Sequence, residues 1–178
     1  MLICHVLIGI PGSGKTTFAQ AWIAHNPRYI HISTDRIRAQ LYGDAAIQGN
    51  WADIENEVLQ QIKAAIAAQR PVIYDATNAK RQWRMHFLQQ VRSLPCLWIG
   101  WRMTTDLETC LARNQQRDRQ VPESVIQQLH SVLTQEIPQI SEGFAATHIP
   151  PFLQTPLGES VFDFTTIDRW IAQIEVIH

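Results

Sequence analysis

The sequence predicts an α/β fold, a parallel β-sheet flanked by helices on both faces. Two observations carry this. Short apolar runs such as Leu2–Ile8 and Val72–Asp75 read as strands buried on both faces, and they alternate with segments whose apolar residues recur at helical spacing. The polar motifs fall where strand-like runs end, which is where open α/β sheets bind ligands.

Leu2 to Ile8 is the first strand, closed by Gly9. Phe18, Ala19, Trp22 and Ile23 then mark a helix that Asn26-Pro27 stops. Tyr29 to Ile32 is a second strand, Ser33-Thr34-Asp35 supplies cap-type residues, and a short helix runs through Leu41. Gly43 to Asn50 reads as a surface loop. Ile54, Val58, Ile62 and Ile66 lie four apart on an amphipathic helix ending near Arg70-Pro71. A third strand, Val72 to Asp75, precedes a helix with the stripe Trp83, Phe87, Leu88 and Val91. Cys96 to Trp101 is strand-like, and Thr105-Asp106-Leu107-Glu108 reads as a capping box opening a helix through Arg113. Pro122 suits the first turn of a helix carrying Val125, Leu129, Val132 and Leu133, which Pro138 ends. Thr147-His148-Ile149 is the expected last strand; prolines at 150, 151 and 156 mark a loop, and Ile167, Trp170, Ile171 and Ile174 a closing helix.

The 178 residues fit one domain, with a lid at about 113–121 and a C-terminal extension at about 150–178. A formal net charge of -1 offers no global field for a polyanion, so any nucleic-acid contact must be local. Cys4, Cys96 and Cys110 fit neither a disulfide framework nor a zinc site. The chain enters a strand at once, and no apolar run approaches a membrane span, so a soluble cytoplasmic protein is expected.

Gly9-Ile10-Pro11-Gly12-Ser13-Gly14-Lys15-Thr16 matches G-x-x-x-x-G-K-[ST] between a strand and a helix. Glycines let successive N–H groups cradle phosphate oxygens at the positive end of the following helix. Lys15 adds charge at the β and γ phosphates, and Thr16 can hold Mg²⁺. A chance match in a chain of this length has a probability on the order of one per cent. The motif predicts a P-loop NTPase/kinase fold with a nucleoside triphosphate and Mg²⁺ as its ligands, and does not by itself separate kinases from GTPases or ATPases. No Asn-Lys-x-Asp guanine-reading sequence occurs, which disfavours a GTPase.

Asp35 follows the second strand, where a carboxylate can accept the proton of an attacking hydroxyl, and Arg38 shares its helical face as an anion clamp. A plain helix cap and a solvated charge are the alternative. Asp75 ends the third strand in Asp75-Ala76-Thr77-Asn78, suited to reach Mg²⁺ through water, while Asn78 serves equally well as a cap. Arg113, Arg117 and Arg119 crowd one stretch, with Arg113 and Arg117 on one face if the helix continues. They read as a phosphate-neutralising lid or as a basic turn paired with Asp118 and Glu123. Trp51 and Trp83 could stack bases, but apolar faces make core packing the reading for most of the six tryptophans. The seven histidines have no metal-ligand spacing.

The chain resembles the polynucleotide 5′-hydroxyl kinases, above all the kinase module of bacterial RNA end-healing and repair proteins, among AAA-type kinases. The resemblance runs from about Ile3 to Ile149. It rests on Gly9 to Thr17, Ser33-Thr34-Asp35 with Arg38, Val72 to Asn78, Arg113 to Val121 and Ser141-Glu142-Gly143-Phe144. It implies that Gly9, Pro11, Gly12, Ser13, Gly14, Lys15, Thr16 and Thr17 bind ATP, with Thr16 also at Mg²⁺. Asp35 would then be the general base on a 5′-hydroxyl of RNA or DNA, and Arg38 would hold an acceptor phosphate. Arg117 and Arg119 would sit at the donor phosphates with Arg113 nearby. Phosphatase and ligase steps would fall to separate repair enzymes. Sister families carry the same motifs on kinases of small molecules and of seryl-tRNA, and a nucleotide-binding regulatory module is the third expectation.

Overall fold

A computed structural model describes residues 1–117 and 119–177. Asp118, named above as a possible ion-pair partner in the lid, lies outside the described residues. The elements are β1 (Leu2–Ile8), α1 (Lys15–His25), β2 (Ile30–Ser33), α2 (Thr34–Tyr42), α3 (Trp51–Ala67), β3 (Val72–Asp75) and α4 (Arg81–Val91). Then come β4 (Cys96–Arg102), α5 (Leu107–Gln115), α6 (Glu123–Gln135), a 3₁₀ turn (Ile140–Glu142), β5 (Ala146–His148), β6 (Phe152–Gln154), β7 (Ser160–Phe162) and α7 (Phe164–Ile177).

The first five strands form a parallel sheet in the order β2-β3-β1-β4-β5. Because side chains alternate along a strand, β1 feeds two cores. Cys4, Val6 and Ile8 face a core closed by Ile54, Ile62, Phe87 and Leu129 of α3, α4 and α6. Ile3 and Leu7 face a second core with Phe18 and Trp22 of α1 and Ile167 and Ile174 of α7. The C-terminal helix thus completes the layer over α1.

The structure departs from the sequence reading in local ways. The proline-rich stretch after residue 150 holds an antiparallel hairpin, β6 with β7, pairing Phe152 with Phe162. Ile149 falls outside β5 and is exposed. On α4 the stripe is shifted: Trp83 is 41% exposed, while Arg84 is fully buried. Arg84 can occupy the core because its guanidinium is saturated, by the Glu142 carboxylate at 2.6 and 2.8 Å and by the carbonyls of Asn78, Ala79 and Glu136. On α6 Ile126, not Val125, joins Leu129 and Leu133 inside. The predicted capping box at 105–108 is instead a cap by Asp106, which accepts from the Thr109 N–H at 2.7 Å. Thr105 donates to the Ser13 carbonyl at 3.0 Å.

Candidate functional site

The site forms at the carboxyl ends of the strands, where β1 runs into the loop 9–14. Gly12 and Gly14 hold φ of 83° and 91°, a region that L side chains rarely enter. A Cβ on Gly12 would also lie 2.4 Å from the Cys110 carbonyl oxygen, so the loop closes against α5 only with glycine there. Gly14 starts α1 with no side-chain cap, which leaves the helix's first N–H groups free for an anion. Gly9 is buried below the loop, its N–H donating to the Thr77 carbonyl at 3.0 Å. That bond and the one from Asn78 Nδ2 to the Leu7 carbonyl at 2.9 Å tie β1 to the end of β3. Asn78 is therefore a brace between strands and not the helix cap that the sequence allowed.

Lys15 Nζ donates to the Ile10 carbonyl at 3.0 Å, which arches the loop. Burial lowers its pKa, against the opposing pull of Asp75 and Asp35. Thr16 Oγ1 donates to Asp75 Oδ2 at 2.8 Å, and His31 Nε2 lies 3.1 Å from the same oxygen. Burial alone would raise the Asp75 carboxyl. The His31 hydrogen bond, the Lys15 charge and the Thr16 bond outweigh it and hold the carboxyl below its usual value, so Asp75 is an anion.

Asp35, in the first turn of α2, has a half-exposed carboxylate. Arg38 Nη1 and Arg119 Nη1 both donate to its Oδ1, at 2.9 and 3.2 Å. Oδ2 takes no hydrogen bond among the described residues. Arg113 Nη1 reaches the Gly12 carbonyl at 3.2 Å. Helix α5 ends at Gln115, so Arg117 follows in a turn and does not continue the Arg113 face.

One cavity of about 1070 Å³ joins these groups: Lys15, Thr16, Asp35, Arg38, Asp75, Arg113, Arg117 and Arg119 all line it, as do Pro11 to Gly14 and Thr17. Ser13 Oγ and Arg38 Nε lie buried with no hydrogen-bond partner among the described residues, one on each side of Lys15 in the chain. Both residues line the cavity, but these two atoms are turned away from its open surface. In the sheet order the lining residues fall on two sides of the P-loop, one arm at the ends of β2 and β3 and the other at the ends of β4 and β5. Toward β2 and β3 lie Asp35, Arg38, Trp51 and Trp83; toward β4 and β5 lie Met103, Ile149 and the hairpin residues Phe152 and Phe162.

Sequence reasoning missed one contributor and left two tryptophans unassigned. His31 lies 44 residues from Asp75, with no local signal. Trp51 and Trp83, the two tryptophans that could stack bases, are 49% and 41% exposed on the cavity wall, whereas core packing holds for Trp22, Trp98 and Trp101.

Similarity to known proteins agrees with this architecture. The family model described as AAA domain matches residues 4–135. No curated protein matches the chain. Among solved structures, the chain is similar to one in the Pnkp1/Rnl/Hen1 RNA repair complex, at 21% identity and a TM-score of 0.69, over 75% of this chain and 44% of that one. A fungal RNA kinase aligns at 17% identity and TM-score 0.59, over 85% of this chain and 39% of that one. Shikimate kinase from Bacteroides thetaiotaomicron aligns at 14% identity and TM-score 0.56, over 98% of each chain. The chain thus spans less than half of either RNA-related relative. Among the described residues no helix is long and apolar enough to cross a membrane. With its model matched over residues 4–135 and the loop, sheet order and cavity in agreement, the chain belongs to the AAA domain family and has the P-loop kinase fold.

Proposed function

We propose that the protein is an ATP-dependent phosphotransferase acting on the 5′-hydroxyl of RNA or DNA, the chain working as one unit with a lid at about 113–121. The observation that carries this is Asp35. Its Oδ1 is pinned by Arg38 and Arg119 at 2.9 and 3.2 Å, its Oδ2 is left for a hydroxyl proton, and it shares a cavity with Lys15. A carboxylate oriented by two cations is a positioned base.

In this reading the N–H groups of the P-loop and Lys15 hold the donor's β and γ phosphates. The donor base lies in the arm walled by Ile149 and the β6–β7 hairpin, opposite Asp35. Thr16 and the ionised Asp75 fit a Mg²⁺ ion, Thr16 by its hydroxyl and Asp75 through water; the ion would neutralise phosphate charge during transfer. Arg113, Arg117 and Arg119 neutralise the equatorial oxygens as the lid closes. Asp35 Oδ2 takes the proton of the attacking hydroxyl, and Arg38 grips an acceptor phosphate.

Labelled ATP with 5′-hydroxyl oligonucleotides of RNA and DNA tests the reading. Wild type labels them, and Asp35→Ala lowers kcat by about 10²- to 10⁴-fold with little change in KM for ATP. No labelling of either nucleic acid would overturn it. A second reading, a kinase of a small metabolite or a charged tRNA, draws on the net charge of -1, which gives no long-range pull on a polyanion. It fails if a metabolite screen yields no turnover while oligonucleotides do.

A further inference from the structure

We propose that Trp51 and Trp83 form an aromatic platform on which the terminal bases of a single-stranded 5′-hydroxyl acceptor stack. The inference rests on the polynucleotide reading above and names what recognises the strand beyond its reacting hydroxyl.

Three observations carry it. First, both rings are held at helix starts and are exposed where a ligand must pass. Trp51 opens α3 behind Asn50, whose side chain caps the helix by accepting from the Ala52 N–H at 3.1 Å, and Trp83 lies in the first turn of α4. They are 49% and 41% exposed, whereas Trp22, Trp98 and Trp101 are buried. Neither indole has an aromatic partner among the described residues. Two large apolar faces lining one cavity offer surface for a ligand to cover.

Second, the platform is continuous with groups that fit the other parts of a nucleotide. Asp35 waits for a hydroxyl. Arg38 lines the same cavity, and its guanidinium suits a phosphate oxygen. The Lys80 ammonium stands 4.8 Å from the Trp83 ring centroid, putting a second cation beside the indole. A hydroxyl, an anion and a flat apolar ring at successive positions are what one end of a nucleic-acid strand presents. Single-strand binders use this combination of aromatic faces and cations.

Third, the size fits. At about 1070 Å³ the cavity reaches the top of the range of roughly 300–1,000 Å³ that holds one drug-sized ligand, so it has room beyond the donor nucleotide. Glu55, a carboxylate lining the same cavity, is already paired with His86 at 2.9 Å and repels a phosphate less than a free carboxylate would.

The test is steady-state labelling of a short 5′-hydroxyl oligonucleotide by wild type, Trp51→Ala, Trp83→Ala and the double variant, with tryptophan fluorescence read as the oligonucleotide is added. Each alanine variant raises KM for the oligonucleotide about tenfold and leaves KM for ATP unchanged, while Trp→Phe keeps most of the affinity. An acceptor whose two terminal nucleosides are abasic suffers the same loss with wild type and no further loss with the double variant. Should an alanine variant fail to fold, the abasic acceptor with wild type decides alone. If wild type labels oligonucleotides but neither the variants nor the abasic acceptor change KM, the platform is overturned and the kinase reading stands. If wild type labels none, yet oligonucleotide quenches its fluorescence and the double variant loses the quench, the platform stands and the kinase reading falls. No labelling and no quench overturns both.

Discussion

His5 sits in β1 with its ring among those of Trp22, Tyr29 and Trp101, at centroid distances of 4.7, 4.9 and 5.8 Å. Its Nδ1 accepts from Trp101 Nε1 at 2.8 Å, so that nitrogen must be unprotonated. Full burial drives its pKa from 6.5 down to about 3. Since the folded value lies below the unfolded one, the unfolded chain binds the extra proton as pH falls. Stability from neutral His5 is therefore complete above about pH 6.5 and is lost progressively below it. Between pH 7.5 and 5.5 the loss from this group is about 1.4 kcal/mol. Urea denaturation at the two pH values checks this: His5→Gln, which keeps an acceptor for Trp101 but does not titrate, has a pH dependence smaller by about that amount. Equal pH dependence in the two proteins would refute the assignment. At the same scale, legibility followed locality. Lys15 and Thr16 were readable because the loop motif fixes their geometry within eight residues, and Asp35 and Asp75 because one closely follows and the other ends a strand beside it. His31 and Arg84 were not, since each acts through a partner 44 or 58 residues away that only the fold brings near.

Among the elements, α4 shows how an apparently polar helix face can be structural. Arg84 and Glu142 have side-chain exposures of 0% and 1%, and the guanidinium also ties the chain at Asn78 and Ala79 to the carbonyl of Glu136. Removing one partner of a buried pair strands the other charge, so Arg84→Ala costs about 3–5 kcal/mol of unfolding free energy. Replacing both, as Arg84→Met with Glu142→Leu, costs less than the single change. Chemical denaturation of the three proteins measures this, and additive losses would argue against the pair acting as a unit. The same helix marks where periodicity stopped being informative. A spacing rule admits Trp83 and rejects Arg84, because it scores side-chain type and does not see a carboxylate arriving from a distant 3₁₀ turn. The long, uniformly apolar strands were legible for the opposite reason, being buried on both faces. The β6–β7 hairpin was hidden by its prolines and by strands of three residues, too short to show alternation.

For the whole molecule, the decisive quantity is how charge is distributed. The chain carries a net charge of -1, yet the cavity gathers Lys15, Arg38, Arg113, Arg117 and Arg119 against Asp35, Glu55 and Asp75. A cationic groove in a neutral body holds a polyanion only where the strand enters, and three of those arginines are assigned to the donor phosphates. One to three acceptor phosphates, at Arg38 and beside Lys80, are then neutralised on binding. For single strands the logarithm of affinity falls with the logarithm of salt at about −0.7 per phosphate neutralised, giving a slope of about −0.7 to −2. Measured as KM for 5′-hydroxyl oligonucleotides across a salt series, that slope stays shallow and stops growing once the strand exceeds a few nucleotides. A slope that steepens steadily with length would mean a phosphate track outside the cavity, and recognition would then have to lie on a surface other than the arm holding Asp35, Arg38 and the two tryptophans.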